Sequence, residues 1–288
     1  MNISYRVATC GFIPERVEFV KKMQEGFDAP LKLSVSETKE HASVWAKRLW
    51  MACAEEDLGE NPPDWHVLLN DDVDLASPKA FEAALTHAKS GIVSFHTSCT
   101  NKITDKWVSC YWATGPGYAL RRGVAQQLLQ FLEFLPDEVK LHENEDVVMI
   151  LYQWSHQEPI WSTIPALVRH RTELPSVLGY DNHPLRVTPV PFTLPMYSAK
   201  RYEHPDFWKQ DGPPPFIENP WFNSVSLTSR WHAIKEMQAR KLAGDPEPVM
   251  CSFCLDRPLT YKSEKTSVGL CKRCLVQCVI MGVGANEP

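Results

Sequence analysis

Four cysteines spaced as CSFC and CKRC, Cys251 with Cys254 and Cys271 with Cys274, stand sixteen residues apart near the end of a 288-residue chain. Each pair can form a tight knuckle that points two thiolates at one tetrahedral ion, so the chemistry is that of a single structural Zn²⁺ site. Few apolar residues surround these cysteines, and metal binding would have to supply most of the folding energy of this tail. The stretch GLCKRCLVQCVIMG is expected to start a helix at its second pair, as in treble-clef fingers, with Cys278 a buried small residue rather than a fifth ligand.

A second group is acidic. WHVLLNDDVDL places Asp71, Asp72 and Asp74 directly after a hydrophobic strand, and ligands of open α/β sheets bind at the carboxyl ends of strands. Carboxylate oxygens suit Mg²⁺ or Mn²⁺, and such an ion can neutralise a diphosphate leaving group. The same residues also suit a plainer use, capping the following helix or solvating a loop.

The elements that must hold these groups alternate. β-rich runs (ISYRVATC, LKLSVSE, WHVLLNDDV, GIVSFHT) are separated by amphipathic stretches (PERVEFVKKMQEGF, EHASVWAKRLWMACAEE, SPKAFEAALTHAKS), the rhythm of an α/β sheet with crossover helices. In the second helix Trp45, Leu49, Trp50 and Cys53 recur at helical spacing, which makes both tryptophans core residues. Ser77-Pro78 supplies an N-cap and a proline at the first helical position of the third. A glycine-rich turn (ATGPGYALRRG), a helix from about Val124 to Phe134 and an acidic segment, HENEDVVMILYQW, that continues as another helix follow.

In this order the chain resembles the GT-A family of nucleotide-sugar glycosyltransferases, including viral members. In that family a DxD motif follows a strand, as Asp72-Val73-Asp74 does, and a glycine-containing turn and an acidic ED motif come later, as TGPGYALRR and HENEDVV do. The resemblance covers roughly residues 3 to 180. It implies a GT-A-like mixed α/β sheet with helices on both faces and a nucleotide-sugar donor. It also implies a Mn²⁺ or Mg²⁺ ion held by Asp71, Asp72 and Asp74, and Glu145 or Asp146 as the base that deprotonates an acceptor hydroxyl. By the same resemblance, IPALVRHRTELPSVLG looks like the closing segment of several such enzymes. His170 would complete the metal or diphosphate site there, and Arg169 and Arg171 would add charge for the phosphates. Where resembling viral enzymes decorate DNA, the acceptor is a hydroxymethylated base. A non-enzymatic zinc-finger adaptor, binding nucleic acid or a protein partner, is the alternative.

Three parts are expected: residues 1–183 as the catalytic domain, 184–246 as a proline- and aromatic-rich arm with a helix, and 247–288 as a zinc-finger module. Nine of the 23 prolines lie between Pro184 and Pro220, which excludes a regular helix or central strand, while the interleaved aromatics argue for an ordered arm. The formal net charge of -5 gives no global reason to bind nucleic acid, and the tail from Cys251 is only mildly basic. No run of about 18 apolar residues occurs, no signal peptide is legible, and the cysteines are not spread as a disulfide framework. A soluble cytoplasmic protein without a membrane partner is expected, a viral protein in a host cytoplasm included.

Overall fold

Near-continuous apolar runs such as WHVLLN require a sheet covered on both faces, and the computed structural model shows how this chain supplies the covers. It describes residues 1–28, 30–39, 42–96, 106–111, 116–135, 145–171, 200–217 and 224–243, with two short strands at 261–262 and 269–270. Two units divide the chain: Met1–Leu132 with Glu143–Asn219, and Glu133–His142 with Pro220–Pro288.

The first unit contains β1 (Ile3–Cys10), α1 (Pro14–Gln24), β2 (Lys32–Ser36), α2 (Ala42–Asp57), β3 (Trp65–Asn70), β4 (Val73–Leu75), α3 (Pro78–His87), β5 (Ile92–Ser94), β6 (Trp107–Cys110), β7 (Gly117–Arg121), α4 (Val124–Phe134, whose last residues fall in the second unit), α5 (Glu145–His156), β8 (Ile160–Thr163) and β9 (Val168–His170). Seven strands form one mixed sheet in the order β2-β1-β3-β7-β5-β8-β6. β1, β2, β3, β5 and β8 run in one direction and β6 and β7 in the other. The carboxyl ends of five strands therefore open on a single edge, where β4 and β9 pair as a separate antiparallel ribbon.

Side-chain alternation divides the core between the two faces. Val7, Val67, Leu69, Val93 and Ala119 cluster with Val20 and Met23 of α1 and with Phe81 and Leu85 of α3. On the other face Tyr118 accepts a hydrogen bond from the fully buried Trp50 of α2 at 3.1 Å, and Phe131 of α4 meets Tyr152 of α5 edge to face. The mixed α/β sheet with helices on both faces is thus the observed fold. Trp50 is a core residue as expected, and Cys53 is buried too, whereas Trp45 lies only half-buried.

Local signals act as the sequence requires. Ser77 Oγ caps α3 by accepting the Ala80 N–H at 3.4 Å, with Pro78 in the first turn. At the sheet edge away from the ribbon, His66 Nε2 lies 2.8 Å from Asp57 Oδ1, and Asp57 Oδ2 accepts the Gly123 N–H at 2.8 Å, tying α2 to the start of α4. Gly117 begins β7 in close contact with β9: a Cβ there would lie 2.7 Å from Val168 Cγ2 and 3.1 Å from both Val168 Cβ and Cγ1.

Part of the aromatic arm belongs to the first unit. A 3-10 turn at Lys200–Glu203 and a one-turn helix α6 at Pro205–Trp208, started by a proline that needs no N–H partner, bury Tyr202 and Trp208 against the sheet domain. Trp107 Nε1 donates to Trp208 O at 2.8 Å and Ser77 Oγ donates to Glu203 Oε1 at 2.8 Å. Residues 184–199, 218–223 and 244–246 of the expected arm lie outside the described residues.

In the second unit, α7 (Ser224–Ala243) buries Leu227 and Ile234. Strands β10 (Tyr261–Lys262) and β11 (Gly269–Leu270) pair antiparallel, Tyr261 opposite Leu270. Cys251, Cys254, Cys271 and Cys274 lie outside the described residues. Among the described residues no helix is long and apolar enough to cross a membrane.

Candidate donor site at the carboxyl edge of the sheet

β3 delivers the acidic turn to the carboxyl edge, and the three aspartates then part company. Asp71 turns inward. Its side chain is 1% exposed, Oδ2 accepts the Cys10 N–H at 2.9 Å, and Oδ1 is ion-paired with Arg16 of α1. Burial raises the Asp71 pKa, opposed mainly by the Arg16 charge and the Cys10 N–H. Both oxygens being engaged inside the protein, Asp71 anchors β3 to β1 and α1.

Asp72 occupies the intermediate position. Oδ2 accepts from Arg16 Nη2 at 3.3 Å, and Oδ1 faces His170 Nδ1 at 3.6 Å. His170 Nδ1 is buried and forms no hydrogen bond, an expensive condition for a polar atom that is not filled by a ligand. The His170 ring also meets His96, which follows β5, edge to face at 5.7 Å between centroids. His96 Nδ1 lies 3.1 Å from Val168 O.

Asp74 faces elsewhere. It pairs directly across the ribbon with Arg169, the two forming an ion pair, and Oδ1 lies 3.7 Å from Arg171 Nε. Arg171 in turn lies over the Phe19 ring of α1 at 4.2 Å, and its N–H donates to Asp72 O at 2.8 Å.

A divalent ion fits one pair in this arrangement. Two ligands each about 2.1 Å from an ion stand roughly 3 Å or more apart, a spacing met by the oxygen of Asp72 and the unpartnered nitrogen of His170. Among the described residues no three His, Cys, Asp or Glu side chains gather as a metal site.

Glu145 and Asp146 begin α5, where carboxylates suit the positive end of the helix dipole. Burial and then the neighbouring Asp146 charge nevertheless raise the Glu145 pKa to about 8. Glu145 is partly buried and lies close enough to the fully enclosed Tyr118 for its charge to raise the pKa of that hydroxyl. Burial and the neighbouring charge thus favour the protonated form of Glu145.

This shift fixes the direction of a pH effect. The folded chain keeps at Glu145 a proton that the unfolded chain releases near pH 4.5, so the contribution to stability is full below about 4.5 and is lost as pH rises through about 8. Glu145→Gln, which keeps the neutral shape, is expected to melt progressively higher than the unsubstituted protein between pH 5 and pH 9. Thermal unfolding at pH 5, 7 and 9 checks this, and a difference independent of pH would refute it.

Arg16, Phe19 and His96 also line this region, outside any motif of the sequence. Arg16 carried a signal: with Val20 and Met23 it occupies the buried positions of α1, and a charge on an apolar stripe must find a partner inside. No comparable signal marks His96, which reaches the site only because β5 lies beyond β7 in the sheet.

No family model matches the chain, and no curated protein does. Among solved structures it is similar to a glycosyltransferase involved in the glycosylation of the major capsid of PBCV-1, at 13% identity over 64% of this chain and 100% of that one, with a TM-score of 0.41. It is also similar to the glycosyltransferase GlyE of Streptococcus pneumoniae TIGR4, at 9% identity over 56% of this chain and 44% of that one, with a TM-score of 0.34. A third likeness is to the catalytic domain of Drosophila beta1,4-galactosyltransferase 7, at 9% identity over 56% of this chain and 64% of that one, with a TM-score of 0.30.

Proposed function

We propose that this protein is a metal-dependent glycosyltransferase that moves a sugar from a nucleotide-sugar to an acceptor hydroxyl. The observation that carries this reading is the Asp72–His170 pair, an acid facing a buried imidazole nitrogen that makes no hydrogen bond, at the carboxyl edge, with Arg169 before His170 on β9 and Arg171 directly after it. Asp72 and His170 would hold Mn²⁺ or Mg²⁺, which when bound supplies positive charge to offset that of a departing nucleoside diphosphate. The arginines supply further charge and fork-shaped donors for phosphate oxygens. Asp146, beside the protonated Glu145, takes the proton of the acceptor hydroxyl.

Thermal unfolding with Mn²⁺ and a panel of UDP-, GDP-, CDP- and dTDP-sugars tests the reading, because a ligand that binds only the native state raises the midpoint. A metal-dependent rise with one nucleotide, absent in Asp72→Ala, is the expected result. No rise with any donor at any metal concentration would favour the adaptor instead.

Cys251, Cys254, Cys271 and Cys274 would hold one structural Zn²⁺, a reading supported by the β10–β11 hairpin, which falls between the two cysteine pairs and ends at the residue before Cys271. One zinc per chain is expected on metal analysis, with loss of the tail's protease resistance on chelation. A metal content that does not fall when Cys271 and Cys274 are both changed to Ser would contradict it.

A further inference from the structure

The short strand β9 ends in Arg169-His170 and Arg171 follows it, and in an extended chain successive side chains point to opposite faces. The contacts follow that rule. His170 turns to Asp72 and His96, while Arg169 and Arg171 both turn to Asp74. The ribbon register fixes the division, since Asp74 lies directly opposite Arg169 whereas His170 lies opposite Val73. A directly opposed pair shares one face, so Asp74 and His170 are on different faces of the ribbon. Asp72 precedes β4 at a bend, and it is the side-chain contact, not the strand alternation, that sets its Oδ1 3.6 Å from His170 Nδ1.

We infer that Asp74, the second acid of the DxD sequence, is not a metal ligand but the counter-ion that positions Arg169 and Arg171 as a two-guanidinium clamp for a diphosphate. The inference rests on the donor-site reading and assigns the two halves of the motif to different tasks. Asp72 belongs with His170 and a cation; Asp74 belongs with the arginines and an anion. Three observations support the clamp. The three side chains together carry one net positive charge. They keep 34%, 28% and 25% of their surface for Arg169, Arg171 and Asp74, so a solute can reach them. Arg171 is also steadied from below by the Phe19 ring at 4.2 Å, which leaves its planar fork ordered before any ligand arrives.

The test separates cation from anion. Binding of Mn²⁺ alone is followed by loss of the free-ion electron paramagnetic resonance signal in the full chain and in Asp72→Asn and Asp74→Asn. Binding of inorganic diphosphate, with a chelator present, is followed by calorimetry in the full chain and in Arg169→Gln, Arg171→Gln and Arg171→Lys. Asp74→Asn is expected to bind Mn²⁺ within about twofold of the unsubstituted protein and Asp72→Asn at least about tenfold more weakly, since a lost charged ligand is worth at least that factor. Each arginine variant is expected to bind diphosphate about tenfold more weakly, Arg171→Lys included, because an ammonium keeps the charge but not the fork. Asp74 is partly exposed, so its substitution should leave the fold intact.

If Asp74→Asn loses Mn²⁺ as Asp72→Asn does, or if the arginine variants bind diphosphate like the unsubstituted protein, the clamp is wrong and the donor site stands. If the unsubstituted protein binds neither Mn²⁺ nor diphosphate, the donor-site reading fails and takes the clamp with it.

Discussion

Arg16→Met is expected to lower folding stability by about 3–5 kcal/mol, the cost of leaving a buried charge without its partner. Arg16 and Asp71 are 5% and 1% exposed at their side chains, and Arg16 also reaches Asp72, so one substitution strips two carboxylates of their counter-ion. The pH dependence of the loss follows from the same pairing. Burial already raises the Asp71 pKa against the pull of Arg16. Removing Arg16 raises it further, so the folded variant takes up a proton at a pH where the unfolded chain has none to give back. The penalty is therefore small below the ordinary aspartate range and grows as pH rises through the raised folded value. Urea unfolding at pH 4 and pH 7 should show a larger difference from the unsubstituted protein at pH 7. Arg16→Met with Asp71→Asn should recover much of the loss, because Asn keeps an acceptor for the Cys10 N–H and carries no charge. A single variant within about 1 kcal/mol of the unsubstituted protein would mean that the pair is solvated in solution.

Asp72→Asn carries the largest expected effect on activity, a fall of about a thousandfold in metal-supported sugar transfer, within the range for removal of one group that stabilises developing charge. Asn retains an oxygen for Arg16 Nη2, so the fold is kept while the charge facing His170 is lost. His170→Ala should fall in the same direction, and the two together by far less than the product, as for residues that act as one unit. Single-turnover assays with the donor identified by the unfolding panel measure both. Activity of Asp72→Asn within about tenfold of the unsubstituted protein would remove Asp72 from the charge-bearing role.

Much of this architecture was legible in residue order because local rules agreed with the global ones. Runs such as ISYRVATC and LKLSVSE became strands, and the Ser77-Pro78 signal opened α3 where capping chemistry places it. The antiparallel insertion of β7 between β3 and β5 was not legible, because strand order is decided by long-range pairing that periodicity does not encode. For the site, Asp72, Asp74, His170, Arg169 and Arg171 do converge at one ribbon, yet their division into two groups shows only in the folded contacts, Asp72 with His170 and Asp74 with the arginines. A motif written as DxD suggests two equivalent acids. The neighbouring strand makes them different, and Asp71, the third of the group, becomes a structural anchor because a charged residue of α1 reaches it first.

The contact between Gly117 and Val168 bears on how such a site can be lost. Val168 is a branched residue at 0% exposure whose backbone N–H is bound to Phe95 O, so it has no room to retreat from a methyl group placed on residue 117. Displacement would pass to the next residues along, His170 and the two arginines. Position 117 is thus a steric veto: one added carbon, on a residue with no polar side chain of its own, can disarm the site while every charged group remains present.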